Sequence, residues 1–157
     1  VEAIIRIGSA GSYSEKLKVY DVVMGHSAYS ESSFAKIAFG YEEDIMEPSE
    51  KLNNALRASA EKLNIPLHEG RIHSSDVFYR DSGVTWQDLR DQHDVGCVEM
   101  ESFALFTNAR KLGKHAACIV TISDSFVTEE VTSAEERQNS FTKMMEIALD
   151  TASTIKF

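Results

Sequence analysis

At 157 residues, 43% of them hydrophobic and 26% charged, the chain has the length and composition of one globular domain with room for a real core. Its 25 acidic residues outnumber 16 basic ones, and the formal net charge of −9 argues against non-specific binding to nucleic acid or to an anionic membrane surface. No apolar stretch reaches the length of a membrane span and no signal sequence is recognisable, so a cytoplasmic protein is the expectation.

The chain opens on Val1-Glu2-Ala3-Ile4-Ile5, which already reads as strand and lacks an initiator methionine, so a fragment or a processed chain is expected. Ala3 to Ile7 reads as a strand closed by a turn at Gly8-Ser9-Ala10-Gly11, and Val19 to Met24 as a second strand closed by Gly25. Between His26 and Glu47, Phe34, Ile37 and Phe39 suggest a hairpin or a loop near a site. Pro48-Ser49 opens a helix whose stripe of Leu52, Ala55, Leu56, Ala60 and Leu63 has helical period, and Asn64-Ile65-Pro66 ends it.

His68 to Ser74 reads as a strand, Thr85 to His93 as a short helix, Val95 to Glu99 as a strand, and Ser102 to Leu112 as a helix closed by Gly113. The run from Ala116 to Ile122 shows no polar alternation, as expected for a strand covered on both faces, and it leads to Asp124. Ser133 with Glu136 forms a capping box, and Thr132 with Glu135 fits the same pattern. The final helix then carries Phe141, Met144, Met145, Ala148, Leu149 and Ala152 on one face. Cys97 and Cys118 lie in apolar strand-like runs and are expected as buried free thiols. Strand and helix in alternation predict an α/β layered fold with a largely parallel sheet.

In such sheets ligands sit beyond the carboxyl ends of the strands, which places Asp124 where chemistry is expected, with Arg137 available to hold it. Arg6-Ile7-Gly8-Ser9-Ala10-Gly11 follows a strand: glycines let the backbone approach a ligand, Ser9 offers a hydroxyl and Arg6 a fork of donors for a phosphate. A plain turn explains the glycines equally. No dinucleotide or Walker pattern is present. In Val98-Glu99-Met100-Glu101, the two carboxylates suit a vicinal diol such as ribose, or else simply complement a helix N-terminus. Phe78 and Tyr79 either stack on a planar base or pack in the core. The five histidines show no metal-ligand spacing, His73 reads as a strand residue, and there is no Gly-x-Ser-x-Gly elbow.

Together with Leu17-Lys18-Val19-Tyr20-Asp21-Val22-Val23, Asp76-Val77-Phe78-Tyr79 and Ala134-Glu135-Glu136-Arg137-Gln138, these segments occur in a specific order. In that order the chain resembles the hexameric, bacterial-type purine nucleoside phosphorylases of the nucleoside phosphorylase family. The resemblance covers essentially all of residues 1–157 and implies a nucleoside-phosphorylase-like sandwich, its central mixed, largely parallel sheet flanked by helices. It implies phosphorolysis of purine (deoxy)ribonucleosides with inorganic phosphate as co-substrate and no other cofactor or metal, by a homo-oligomer built as a trimer of dimers. By the same resemblance Arg6 and Ser9 bind phosphate, Glu101 holds the ribose hydroxyls with Met100 packed on the sugar and Glu99 nearby, and Phe78 flanks the base. Val98 and Ser123 line the base pocket, Asp124 is the general acid to the purine, and Arg137 swings in to pair with Asp124.

A free aspartate, with a pKa of roughly 3.9, is a poor acid at pH 7, so this role implies desolvation or a proton shared with the purine. The chain departs from the family at Ala10, commonly Cys, and at Ser125, commonly His, where pocket polarity and base preference are expected to change. The family's N-terminal segment, with a glycine-rich phosphate loop, further arginines and a histidine that reaches a neighbouring subunit's sugar, has no counterpart. An incomplete phosphate site and an exposed sheet edge are therefore expected. A related uridine phosphorylase, a nucleosidase that uses water, and a non-catalytic nucleoside-binding homologue are the competing readings.

Overall fold

A computed structural model describes the whole chain, Val1–Phe157. Six strands and six helices follow one another: β1 (Ala3–Ser12), β2 (Val22–Tyr29), α1 (Phe34–Phe39), β3 (Ile45–Met46), α2 (Glu50–Lys62), β4 (His68–Ser74), α3 (Trp86–His93), β5 (Val95–Glu99), α4 (Ser102–Leu112), β6 (His115–Ser125), α5 (Ala134–Ser140) and α6 (Thr142–Thr154). The sheet order is β3-β2-β4-β5-β1-β6, and β2 also pairs with β6. Strands β2, β4, β5, β1 and β6 thereby close into a ring, with β3 attached outside it. The pairs β1–β6, β2–β4 and β4–β5 are parallel, and β1–β5, β2–β3 and β2–β6 antiparallel. The longer ladders are the parallel ones, so the sheet is mixed and largely parallel, as the sequence predicts.

β6 shows why that run lacks polar alternation. Ala116, Cys118, Val120 and Ile122 enter one core cluster with Phe103 and Phe106 of α4, while Ala117 and Ile119 enter a second with Leu52 and Leu56 of α2 and Met144 and Ile147 of α6. Both faces are covered by helices, so the run is apolar except for the buried Thr121. α2 begins where Ser49 accepts from the Leu52 amide, and its buried face is Leu52, Leu56 and Ala60. α4 ends at Gly113, whose positive φ of 61° suits glycine and few other residues. No helix is long and apolar enough to cross a membrane.

Three expectations need correction. Gly8-Ser9-Ala10-Gly11 is not a turn: β1 runs through it to Ser12, with a bulge between Ala10 and Gly11. The glycines serve close approach, since a Cβ on Gly8 would lie 2.5 Å from Arg6 Nη1 and one on Gly11 2.6 Å from the Phe126 ring. β2 likewise passes through Gly25, which leaves room for Ile72, and begins only at Val22 because Tyr20 adopts a left-handed φ of 73°. The rest of the uncertain stretch is α1 and β3. Last, the single final helix is two, broken at Phe141, and the buried face of α6 is Met144, Ile147, Ala148 and Thr151, with Leu149 exposed.

The outer edge of β1 pairs with β5 only at Gly11 and Ser12, which leaves Ala3–Ala10 open and Ile4 and Ile7 exposed. Cys97 and Cys118 are free and buried. Burial pushes the Cys97 thiol up to about 12 and the Cys118 thiol upward as well. We expect neither thiol to react with an aromatic disulfide reagent in the native protein at pH 8, and both to react in denaturant. Labelling of either one in the native state would mean that β5 or β6 is not covered as described.

Candidate active site

The site forms where three strands meet at Gly11. In the parallel ladder with β6, Gly11 stands opposite Asp124; in the antiparallel contact with β5, it stands opposite Val98. The register of β1 on β6 runs unbroken from Ala3 opposite His115 to Ala10 opposite Ile122 and shifts by one residue at the bulge, so strand pairing sets Arg6 and Ser9 on one strand and Ser123 and Asp124 on its neighbour. A Cβ on Gly11 would lie 3.1 Å from Asp124 Oδ2, so glycine keeps the space in front of the carboxylate clear.

Arg6 reaches from β1 to the end of β5. Its Nε lies 3.2 Å from Glu99 Oε2, its Nη2 pairs with Glu101 Oε2, and its Nη1 lies 3.9 Å from Cys118 Sγ. The two carboxylates of Val98-Glu99-Met100-Glu101 do different things. Glu99 is buried and accepts from the amides of Glu101 (3.1 Å) and Ser102 (3.0 Å) and from the Ser102 hydroxyl (2.5 Å). It therefore caps α4 from two residues ahead of the helix boundary. Burial raises its carboxyl pKa, against the pull of the Arg6 guanidinium and the Ser102 donors. Glu101 is exposed and has no such duty, so its carboxylate is available to a ligand on the open side.

Asp124 is half-buried and accepts from the Ser123 hydroxyl; Arg137 Nη2 of α5 stands 3.6 Å from its Oδ1. The capping box belongs to Ser133 and Glu136. Thr132 instead ties the loop back: its hydroxyl donates to the Ser123 carbonyl at 2.7 Å and accepts from Arg137 Nε at 3.1 Å. Arg137 is thus tethered beside the carboxylate without a full hydrogen bond to it.

An arginine paired with one buried and one exposed carboxylate thus lies near the end of β5, and an aspartate with a second arginine 3.6 Å away at the end of β6. Residues 1–155 match the Phosphorylase superfamily. The chain belongs to that superfamily. It is 45% identical over 157 residues to a DeoD-type purine nucleoside phosphorylase of Clostridium beijerinckii, with 99% of this chain and 65% of that protein covered. It therefore spans a little under two thirds of the length of that relative. Among solved structures it resembles the Campylobacter jejuni 5′-methylthioadenosine/S-adenosylhomocysteine nucleosidase (TM-score 0.84, 21% identity, 98% of this chain and 70% of that one). It also resembles a futalosine hydrolase mutant of Helicobacter pylori (TM-score 0.80, 21% identity, 99% and 69% covered). At that identity the likeness is one of fold.

Within this superfamily member, Arg6, Glu99 and Glu101 are joined in one set of contacts and Ser123, Asp124 and Arg137 in another, Val98 pairs with Gly11, and Ser9 and Met100 are exposed. Phe78 is not drawn in: it is 78% exposed on the loop after β4, where its ring meets Tyr79 edge-on at 5.0 Å. Core packing, one of the two readings of that pair, does not hold, since Phe78 and Tyr79 are both exposed. Ser125 turns its hydroxyl into the following turn, accepting from the Val127 and Thr128 amides, and does not face a ligand.

The sequence reading passed over Phe126, whose ring covers Gly11, and the buried Tyr13, which meets Phe126 edge-on at 5.2 Å and stacks on Trp86 at 5.6 Å. Their signal was the aromatic placed two residues after Asp124. His73 is buried, with Nε2 2.7 Å from Glu31 and Nδ1 3.4 Å from the Tyr13 hydroxyl, and burial lowers its pKa. No group of three or more His, Cys, Asp or Glu residues is arranged to hold a metal ion. The largest cavity, about 720 Å³, surrounds Ser49, Arg110 and His115 at the far end of β6 and contains none of the site residues.

The unequal carboxylates give a direct test. Glu99→Ala leaves Arg6 without its buried partner and α4 without its cap, and is expected to cost roughly 3–5 kcal/mol in urea unfolding. Glu101→Ala, at an exposed position, is expected to change stability by less than about 0.5 kcal/mol. Equal effects would mean that the two residues share one role.

Proposed function

We propose that this chain carries the catalytic residues of a purine nucleoside phosphorylase, which cleaves purine (deoxy)ribonucleosides with inorganic phosphate to free base and (deoxy)ribose 1-phosphate. The observation that carries the reading is Asp124 with Arg137 at the carboxyl end of β6, across Gly11 from the Arg6–Glu101 pair. The 45% identity to a DeoD-type purine nucleoside phosphorylase supports it.

In this reading Arg6 and Ser9 hold phosphate, and Glu101 holds the ribose hydroxyls with Met100 against the sugar. Val98 and Ser123 line the base site, and Phe78 reaches the base by movement of its exposed loop. Glu99 spends its oxygens on α4 and Arg6, so we assign it to holding Arg6 and the Glu101 segment in place. A phosphate oxygen forms the new bond to C1′ as the bond from C1′ to the purine breaks, and the bonding pair leaves with the base. The transition state places positive charge on the sugar and negative charge on the purine. Asp124 gives a proton to the purine ring nitrogen, and Arg137 closes the remaining distance to stabilise the carboxylate that results. Phosphate supplies the nucleophile, so no protein side chain has to attack.

Arg6 also links the two substrates. Its guanidinium pairs with Glu101 in this structure, so phosphate at Arg6 draws it from Glu101 and releases that carboxylate for the ribose.

The test is base release from inosine and adenosine by the full-length protein, with and without phosphate. We expect strict phosphate dependence, and a loss of roughly 10²–10⁴-fold in kcat for Asp124→Asn, the range general acid catalysis supplies. Nucleoside binding should persist in that variant. Equal turnover without phosphate would establish a nucleosidase instead, and binding without turnover a non-catalytic homologue.

A further inference from the structure

Tyr20 lies between β1 and β2 with φ at 73°, a region a non-glycine residue occupies only when its surroundings hold it there. The surroundings are on β6: the Tyr20 amide donates to the Ile122 carbonyl and the Ile122 amide to the Asp21 carbonyl, both at 2.9 Å. Ile122 is two residues before Asp124, so the backbone of Tyr20 is clamped to the strand that carries the acid.

From that clamp the side chain enters the elbow between α5 and α6. Its ring meets Phe141, the residue at the break between the two helices, edge-on at 6.0 Å and 82°. Its hydroxyl donates to Glu136 Oε1. Glu136 adjoins Arg137, and its other oxygen accepts from the Ser133 amide at 2.8 Å. α5 buries none of its residues, so hydrophobic packing does not locate it. Its placement over Asp124 rests on a few polar bonds, and the one through Tyr20 runs to a residue fastened to β6 itself.

We infer that Tyr20 is a positioning residue that, by holding Glu136, sets α5 so that Arg137 can reach Asp124. This rests on the roles proposed above for Asp124 and Arg137. Tyr20 touches neither of them. Loss of its hydroxyl frees Glu136 while leaving the ring on Phe141 and the clamped backbone in place, so the fold survives and the closing of α5 suffers. The loss then falls on the step in which the purine is protonated, and spares binding.

The experiment compares the wild-type full-length protein with Tyr20→Phe on inosine and on its N7-methylated analogue. N7 is the nitrogen conjugated to the breaking bond, and with a methyl group there the base leaves neutral without a proton. For inosine we expect kcat to fall about tenfold, part of the range general acid catalysis supplies. KM should change by less than about twofold, the pattern of an interaction used in the transition state. The methylated substrate should keep its wild-type kcat. Amide exchange should quicken across residues 134–140 and stay as it was across 142–154. Equal losses on the two substrates, or unchanged turnover with unchanged exchange, would overturn the assignment. If the wild-type protein turns over neither substrate, the phosphorolysis reading fails on its own, and exchange across residues 134–140 alone decides whether Tyr20 holds α5.

Discussion

The parallel ladder between β1 and β6 is the constraint on which the rest of the molecule depends. β6 can lie between β1 and β2 with both faces covered only because Ala116 to Ile122 carries no exposed polar side chain. Once it is there, the register that sets Ala3 against His115 runs to Ala10 against Ile122, and the bulge after Ala10 then sets Gly11 against Asp124. Asp124, Arg6 and Ser9 are therefore placed relative to one another by the backbone hydrogen bonds of this ladder. Shifting that register by one residue would turn each of the two alternating apolar sets of β6 into the other's core. The position of Asp124 relative to Arg6 is in this sense a property of the core.

Charge within the cluster is arranged around a single cation. Arg6 is partly buried among Glu99, Glu101 and the Cys118 sulfur, and its neighbours hold its guanidinium above the usual range against the opposing effect of burial. Glu99 has the buried oxygens and the helix-capping bonds, so it is fixed. Glu101 lies one turn of backbone further out, with a single cationic partner and solvent on the other side. A site built this way has one permanent carboxylate and one exchangeable carboxylate on the same arginine. An incoming anion can displace only the second without unfolding the start of α4, and on the roles we propose that asymmetry would couple phosphate to sugar binding.

Much of this was readable from residue order. The bounds of β4, β5 and α4 follow from local punctuation: Pro66 before β4, the sharp turn before Val95, and Gly113 after α4. The errors also have local causes. Gly8, Gly11 and Gly25 look like turn residues, yet each serves close approach inside a strand, and sequence does not separate the two uses of a missing Cβ. The α5–α6 break is invisible because Phe141 continues the helical spacing with no glycine or proline at the joint. In the candidate site, sequence offered Glu99 and Glu101 together for a sugar diol, since neighbouring carboxylates in sequence carry no mark of which one is buried. The bond from Tyr20 to Glu136 spans 116 positions, and no periodicity or motif joins them.

Asp124 and Arg137, the pair to which we assign proton transfer, differ in how firmly they are held. Asp124 ends a strand with core on both sides, while Arg137 rides on a helix with nothing buried, fastened by Thr132, the Ser133 cap and Tyr20. Local opening draws on regions with few buried contacts, so α5 can lift while β6 stays put. An acid that must first give up a proton and then be stabilised as a carboxylate benefits from this division. In the role we assign to it, Arg137, with Nη2 3.6 Å from Asp124 Oδ1, draws closer as the charge develops. On the roles we propose for Asp124 and Arg137, the exposed helix is a functional element of the fold, and its loose attachment suits the closing assigned to it.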